Sequence, residues 1–203
     1  MKKNWLILVF ILVCGIVFAD DADFRNIKWG MTQNEVIQSE ELKSPSKKKD
    51  LISYTINNMY EWKARLTYYF NRDGILDSAN YNFFNTAHVS FDANVMDQMG
   101  VALYQTLQAD LIKKYGPPKE DNVIWANESF KSLPTNMGAH VVAGRVTFST
   151  VWETEKTVIN LSCARGVYMM HPFANSIVNY YEKSYYQSLI QQAQQPSSES
   201  KNL

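Results

Sequence analysis

Cysteine is nearly absent from this 203-residue chain, which holds only Cys14 and Cys163. Two such residues cannot build a disulfide framework. Histidine is also scarce: His88, His140 and His171 are scattered, and none makes a close ligand spacing with another His, Cys or carboxylate. No metal site is therefore expected. The eight glycines are dispersed, so there is no phosphate-cradling loop. A Gly-x-Ser-x-Gly elbow is missing too, and Ser162 and Cys163 sit in a strand-like run where a nucleophile would not stand exposed. Adjacent carboxylates such as Asp20/Asp21 and Glu40/Glu41 fall on ends and loops, where they are ordinarily solvated. No catalytic residue and no cofactor is expected, and the chain reads as a non-enzyme. Charge of one sign is lacking as well, with 20 Lys and Arg against 20 Asp and Glu. A nucleic-acid binder needs a basic face to displace counterions, so that class is disfavoured.

What is present begins with an export signal over residues 1–19. Met1-Lys2-Lys3 supplies the positive start, Trp5 to Phe18 is apolar and uncharged, and Val17-Phe18-Ala19 offers a cleavage site before Asp20. The apolar stretch is short for a permanent membrane helix. The expected product starts near Asp20, is periplasmic or secreted, and has no transmembrane segment. Lipid attachment at Cys14 is the less favoured route, because Leu12-Val13 precede it and cutting there would leave Gly15-Ile16-Val17-Phe18 exposed. Removing Lys2 and Lys3 leaves 18 basic against 20 acidic residues, still close to neutral. Cys163, alone in the alternating run 157–163, is expected to be a buried small hydrophobe.

The sharpest local signal is Trp29-Gly30-Met31-Thr32-Gln33-Asn34-Glu35-Val36. Thr32 and Glu35 have capping-box spacing, and Met31 and Val36 that of a hydrophobic staple, so a helix is expected from about 33 to 41. Trp29 should anchor it in the core. A lysine-rich loop at 43–49 is followed by strands at 51–57, 62–70 and 75–84, the last two joined by the turn Asn71-Arg72-Asp73-Gly74. The spacing of Met99, Leu103, Leu107 and Leu111 predicts a helix over 95–115, stopped by Gly116-Pro117-Pro118. Strands are expected at 123–128, 141–152, 157–164 and 176–181, with a polar loop at 130–138 and a last helix at 185–195. Residues 196–203 are polar and expected to be disordered.

This order is most economically two helix-plus-antiparallel-meander units, about 24–88 and 92–183, within one α+β domain spanning 20–195. Helices on one face of a continuous sheet is the expected layering. Trp29-Gly30-Met31-Thr32 with Glu35-Val36 resembles the helix-opening motif of bacterial envelope proteins of the BamE/SmpA type. The run Leu111-Ile112-Lys113-Lys114-Tyr115-Gly116-Pro117-Pro118 resembles a helix ending in the same group, and the tandem units resemble the β-lactamase inhibitor protein architecture. That resemblance implies a non-catalytic protein that binds another protein of the envelope. It names no partner and leaves the oligomeric state open.

Aromatic residues are the remaining resource. Adjacent pairs such as Tyr68/Tyr69 and Tyr180/Tyr181 must each send one ring to either sheet face. Rings on an uncovered face would serve recognition. Tyr60, Trp62, Trp125 and Trp152 are the candidate binding residues on that reasoning. The leading expectation is an interaction or inhibitor-like module using the exposed sheet face. The alternative is a small-ligand-binding protein with an aromatic pocket between helices and sheet. An open aromatic face would favour the first, and a closed apolar concavity with a few polar groups the second.

Overall fold

A computed structural model describes residues 23–84, 93–133, 136–168 and 171–195. The export signal at 1–19, Cys14, His88 and the polar tail at 196–203 lie outside these residues. Among the described residues the chain runs α1 (Gln33–Ser39), β1 (Ser46–Lys47), β2 (Leu51–Met59), β3 (Trp62–Phe70), β4 (Leu76–Phe84) and α2 (Ala93–Tyr115). It continues with β5 (Glu120–Trp125), a 3-10 turn (Glu128–Ser132), α3 (Met137–Val142), β6 (Val146–Glu153), β7 (Thr157–Tyr168), β8 (His171–Glu182) and α4 (Lys183–Gln194). The fold is α+β.

All eight strands form one antiparallel sheet in the order β1-β2-β3-β4-β8-β7-β6-β5. That order is unchanged when β1–β4 are exchanged with β5–β8. Each half is a meander, and the halves meet through their last strands, with Asn80 opposite Asn179 at the centre of the β4–β8 ladder. Local connections thus build both meanders, and a single non-local pairing joins them.

The cap at the start of α1 forms as the spacing requires. The Thr32 hydroxyl accepts from the Glu35 backbone N–H, and Glu35 Oε2 accepts from the Thr32 N–H at 2.8 Å. Gly30 takes the left-handed entry turn at φ +87°. Val36 is fully buried, and Met31 and Trp29 pack against the same core. Trp29 also ties this region to the distant half, because its Nε1 donates to Thr157 Oγ1 at 2.9 Å.

One sheet face carries the core. Ile52, Tyr54, Leu66, Tyr68, Phe83, Ile159 and Leu161 are all 0–1% exposed on that side. α2 lies directly on β8: the Ser176 hydroxyl donates to the Gly100 carbonyl at 3.1 Å. A methyl on Gly100 would sit 2.3 Å from the Ala174 carbonyl oxygen, so this approach needs glycine. Cys163 is wholly buried beneath the same helix turn, its Sγ 3.9 Å from Gly100 O. Burial pushes its thiol up to about 11. α4 differs from the other helices. Its Tyr185 and Tyr186 rings lie 6.4 and 5.4 Å from Tyr181, which faces the other side of the sheet from Tyr180.

Five segments depart from the sequence expectation. The lysine-rich loop contributes a two-residue edge strand, β1. The expected strand over 141–152 starts only at Val146, because residues 137–142 form α3, capped by the Asn136 side chain. Val141 is β-branched but fully buried, so tertiary packing overrides its strand preference. Gly144 at φ +70° then turns the chain into β6. β5 spans 120–125 rather than 123–128, and β7 and β8 extend to twelve residues each.

Candidate functional site

The heavy rings occupy the covered face, not the open one. Trp62 and Trp152, expected on the open face, are core residues with 6% and 2% exposure. Trp152 Nε1 donates to the Gly116 carbonyl that ends α2, at 3.0 Å. Strand alternation separates two faces without saying which one helices cover, so the sequence could not place these rings. Trp125 is half-buried, with its ring edge-on to His140 of α3 at 5.1 Å. Tyr60 is exposed and lies in the β2–β3 turn. Tyr68 and Tyr69 do part as expected, the first fully buried and the second exposed. A row of amides and hydroxyls runs through the middle of the open face: Ser53, Thr67, Asn80, Asn179 and Asn160 follow one another across five strands.

The concavity lies on the other side. A cleft of about 250 Å³ separates the last turns of α2 from the sheet. Its walls are Leu107 and Leu111 from α2, Phe83, Val178 and Tyr180 from the sheet, and Phe24 from the N-terminal turn. Phe24 stacks at 4.3 Å on Tyr180 and edge-on at 5.9 Å against Tyr81. Polar groups of Arg25, Tyr60, Asp110 and Lys114 also line it. The volume is slightly below that of typical small-molecule sites, which run to about 300–1,000 Å³.

Tyr180 is 7% exposed, and its hydroxyl makes no hydrogen bond to any described residue. Burial holds its pKa well above the ordinary phenol value, and neighbouring Tyr115, Tyr81 and Tyr60 add to the rise. The phenol is therefore neutral.

Below the cleft runs a satisfied ionic network. Arg25 sits in a left-handed turn at φ +55° and forks onto Glu40, Nε to Oε2 at 3.0 Å and Nη2 to Oε1 at 2.9 Å. Its Nη1 donates to the Tyr81 hydroxyl at 2.8 Å. Glu40, which ends α1, also accepts from the Tyr68 hydroxyl and from the Leu42 N–H at 3.2 Å. Burial pushes the Glu40 carboxyl up, but the Tyr68 and Arg25 hydrogen bonds together outweigh it and hold it below the usual range. Four donors saturate this carboxylate, so it has no lone pair to offer a substrate as a base. The network positions Tyr81 and Arg25 at the cleft.

The β2–β3 turn closes the mouth. Tyr60 and Glu61 both adopt positive φ, +56° and +65°, between the paired Met59 and Trp62. This is the two-residue hairpin geometry that favours Asn-Gly, and non-glycine residues there are strained by about 1–2 kcal/mol each. The Tyr60 hydroxyl reaches across to Asp110 Oδ2 on α2 at 2.8 Å. Partial burial, then this bond, pushes Tyr60 up to about 12. Asp110 is held low chiefly by the same bond and further by Lys113 at 3.1 Å.

Sequence reasoning missed Arg25, Asp110 and Tyr180 as site residues. The hydrogen-bond partners of Arg25 and Asp110 lie 15 to 56 residues away and the ring on Tyr180 is Phe24, from the other end of the chain, and no local spacing records such contacts. Among the described residues, no three His, Cys, Asp or Glu side chains come together as a metal site. No helix among them is long and apolar enough to cross a membrane. No protein-family model matches the chain, and neither does any curated protein or solved structure.

Proposed function

We propose that this chain is an exported, non-catalytic binding protein whose ligand is a small molecule with an apolar body and a hydrogen-bond-accepting head. The cleft between α2 and the aromatic sheet holds it. The single observation that carries this reading is the Tyr180 phenol, which lines the cleft among apolar side chains of α2 and the sheet and makes no hydrogen bond to a described residue. A ligand oxygen there satisfies the phenol, while Leu107, Leu111, Phe83 and Val178 take the apolar body. Arg25 is neutralised by Glu40, so recognition of the head rests on hydrogen bonds more than on net charge.

Of the two binding modes the sequence allows, the pocket is favoured over the exposed aromatic face. Two of the rings proposed for that face, Trp62 and Trp152, are buried in the core. The test is calorimetric titration of the exported form, residues 20–203, with 1-naphthylacetate, indole-3-acetate, 4-phenylbutyrate and octanoate. Saturable 1:1 binding of at least one is expected, weakened tenfold or more in Leu107→Trp, which fills the cleft. Tyr180→Phe, which keeps the ring, is expected to weaken it about fivefold, on the order of 1 kcal/mol. Absence of binding by all four compounds would refute the proposal.

A further inference from the structure

The opposite face of the sheet carries a second and chemically different depression. It has a volume of about 700 Å³ and lies over β2, β3 and β4, flanked by the 43–48 loop. Three cations line it, Lys43, Lys48 and Arg65, and no carboxylate does. None of the three forms an ion pair among the described residues, and the Arg65 guanidinium rests 5.5 Å over the Phe84 ring. Its floor is hydrogen-bonding and, apart from Arg65, neutral: Ser53 and Thr67 lead to Asn80, and Thr55 and Arg65 lead to Asn82, each row crossing three strands. Tyr69 is 37% exposed beside them. Asn80 donates to the Tyr69 hydroxyl at 3.3 Å, and its own Oδ1 has no partner.

From this we infer a binding site for an acidic oligosaccharide, independent of the cleft. Sugar hydroxyls need closely spaced neutral groups that both donate and accept, which Asn, Ser and Thr supply. Within each row the groups stand about 4.8 Å apart, the spacing between strands, so such groups are presented repeatedly. The exposed Tyr69 ring offers an apolar platform with a polar tip. Arg65 has its planar fork free for a carboxylate or sulfate, and Lys43 and Lys48 supply further positive charge without a competing acid. A nucleic acid fits less well, because the chain as a whole carries no excess positive charge.

The test uses residues 20–203 in calorimetric and NMR titrations with tetragalacturonate, an alginate tetramer and a heparin tetramer, with maltotetraose as the neutral control. At least one acidic tetramer is expected to bind at least tenfold more tightly than maltotetraose, with the difference shrinking as salt rises. Arg65→Gln changes an exposed side chain and leaves the sheet intact, and it should lose tenfold in affinity. Asn82→Ala should lose severalfold for the acidic tetramer, with an unchanged melting temperature. The inference is overturned if no acidic tetramer binds, if maltotetraose binds equally well, or if both variants retain wild-type affinity. It is also overturned if a single-stranded DNA octamer binds more tightly than every tetramer.

Discussion

The Tyr60 hydroxyl donates to Asp110 at 2.8 Å, joining the tip of the first meander to the helix that opens the second half of the chain. The bond spans the mouth of the cleft, and the residue that makes it is held in a strained left-handed conformation. Strain of this kind persists where surrounding structure fixes it, often beside a ligand. The turn therefore ties the first meander to α2 beside the cleft, the placement a latch requires.

Replacing Tyr60-Glu61 by Asn-Gly separates strain from latching. The swap relieves two unfavourable φ values, which should raise unfolding free energy in urea by about 1–2 kcal/mol each. Loss of the Tyr60–Asp110 bond offsets about 0.5–1.5 kcal/mol of that gain. Stopped-flow ligand release should nevertheless be faster than in the wild type. Slower release would contradict a latch.

Gly100→Ala sets helix propensity against packing. Alanine is the better helix former by about 1 kcal/mol. At this position, however, the added methyl meets the Ala174 carbonyl oxygen at 2.3 Å. Overpacking of a core costs about 1–3 kcal/mol, so the net expectation is a melting temperature lower by several degrees. Calorimetric melting reads the sign directly.

Acid should destabilise the protein through its lowered carboxylates, Glu40 and Glu153 among them. Glu40 and Glu153 are both held below their ordinary range, so each stabilises the fold above its unfolded pKa. That contribution is lost as pH falls through the folded pKa. Glu153, hydrogen-bonded by Lys119 and Lys183 at 2.5 Å each, is lowered to about 2. Urea midpoints should stay level from pH 7 to 5 and fall steadily from about pH 4.5 toward 2. Glu153→Gln should flatten the lower part of that decline. Glu40→Gln leaves the half-buried Arg25 guanidinium poorly paired and should cost about 1–3 kcal/mol at pH 7.

Cys163 should be inert in the folded protein. It is fully buried and its thiol is pushed up to about 11, so little thiolate exists near neutrality. Reaction with a chromogenic disulfide should be negligible in buffer and rapid in urea, at a rate that tracks unfolding. Fast labelling of the folded protein would contradict the packing of α2 on β7 and β8.

Where the fold is encoded locally, the sequence is a good guide. The Thr32/Glu35 capping box, the Asn71–Gly74 turn and the Gly116 stop are each written within a few residues, and each forms where read. The expected strand at 62–70 matches β3 residue for residue. Signals failed where long-range packing decides. Val141 and Val142 read as strand but close a helix against the core, and the lysine loop gains β1 only by pairing with β2. The site was harder still. Alternation identified two faces, yet burial of Trp62 and Trp152 depends on which face receives α1, α2 and α3. Of the four aromatic residues singled out, Tyr60 alone lines the cleft. Its importance comes from a backbone angle and a partner fifty positions away, which no local pattern records.

The most direct test is an NMR titration of the methyl- and tyrosine-labelled protein with 1-naphthylacetate, reading intermolecular Overhauser contacts. The account predicts contacts from the naphthyl ring to Leu107, Leu111 and Val178, with the Tyr180 ring signals shifting in step with saturation. Contacts confined to the opposite face at Tyr69 and Phe84, or none at saturating ligand, would contradict it.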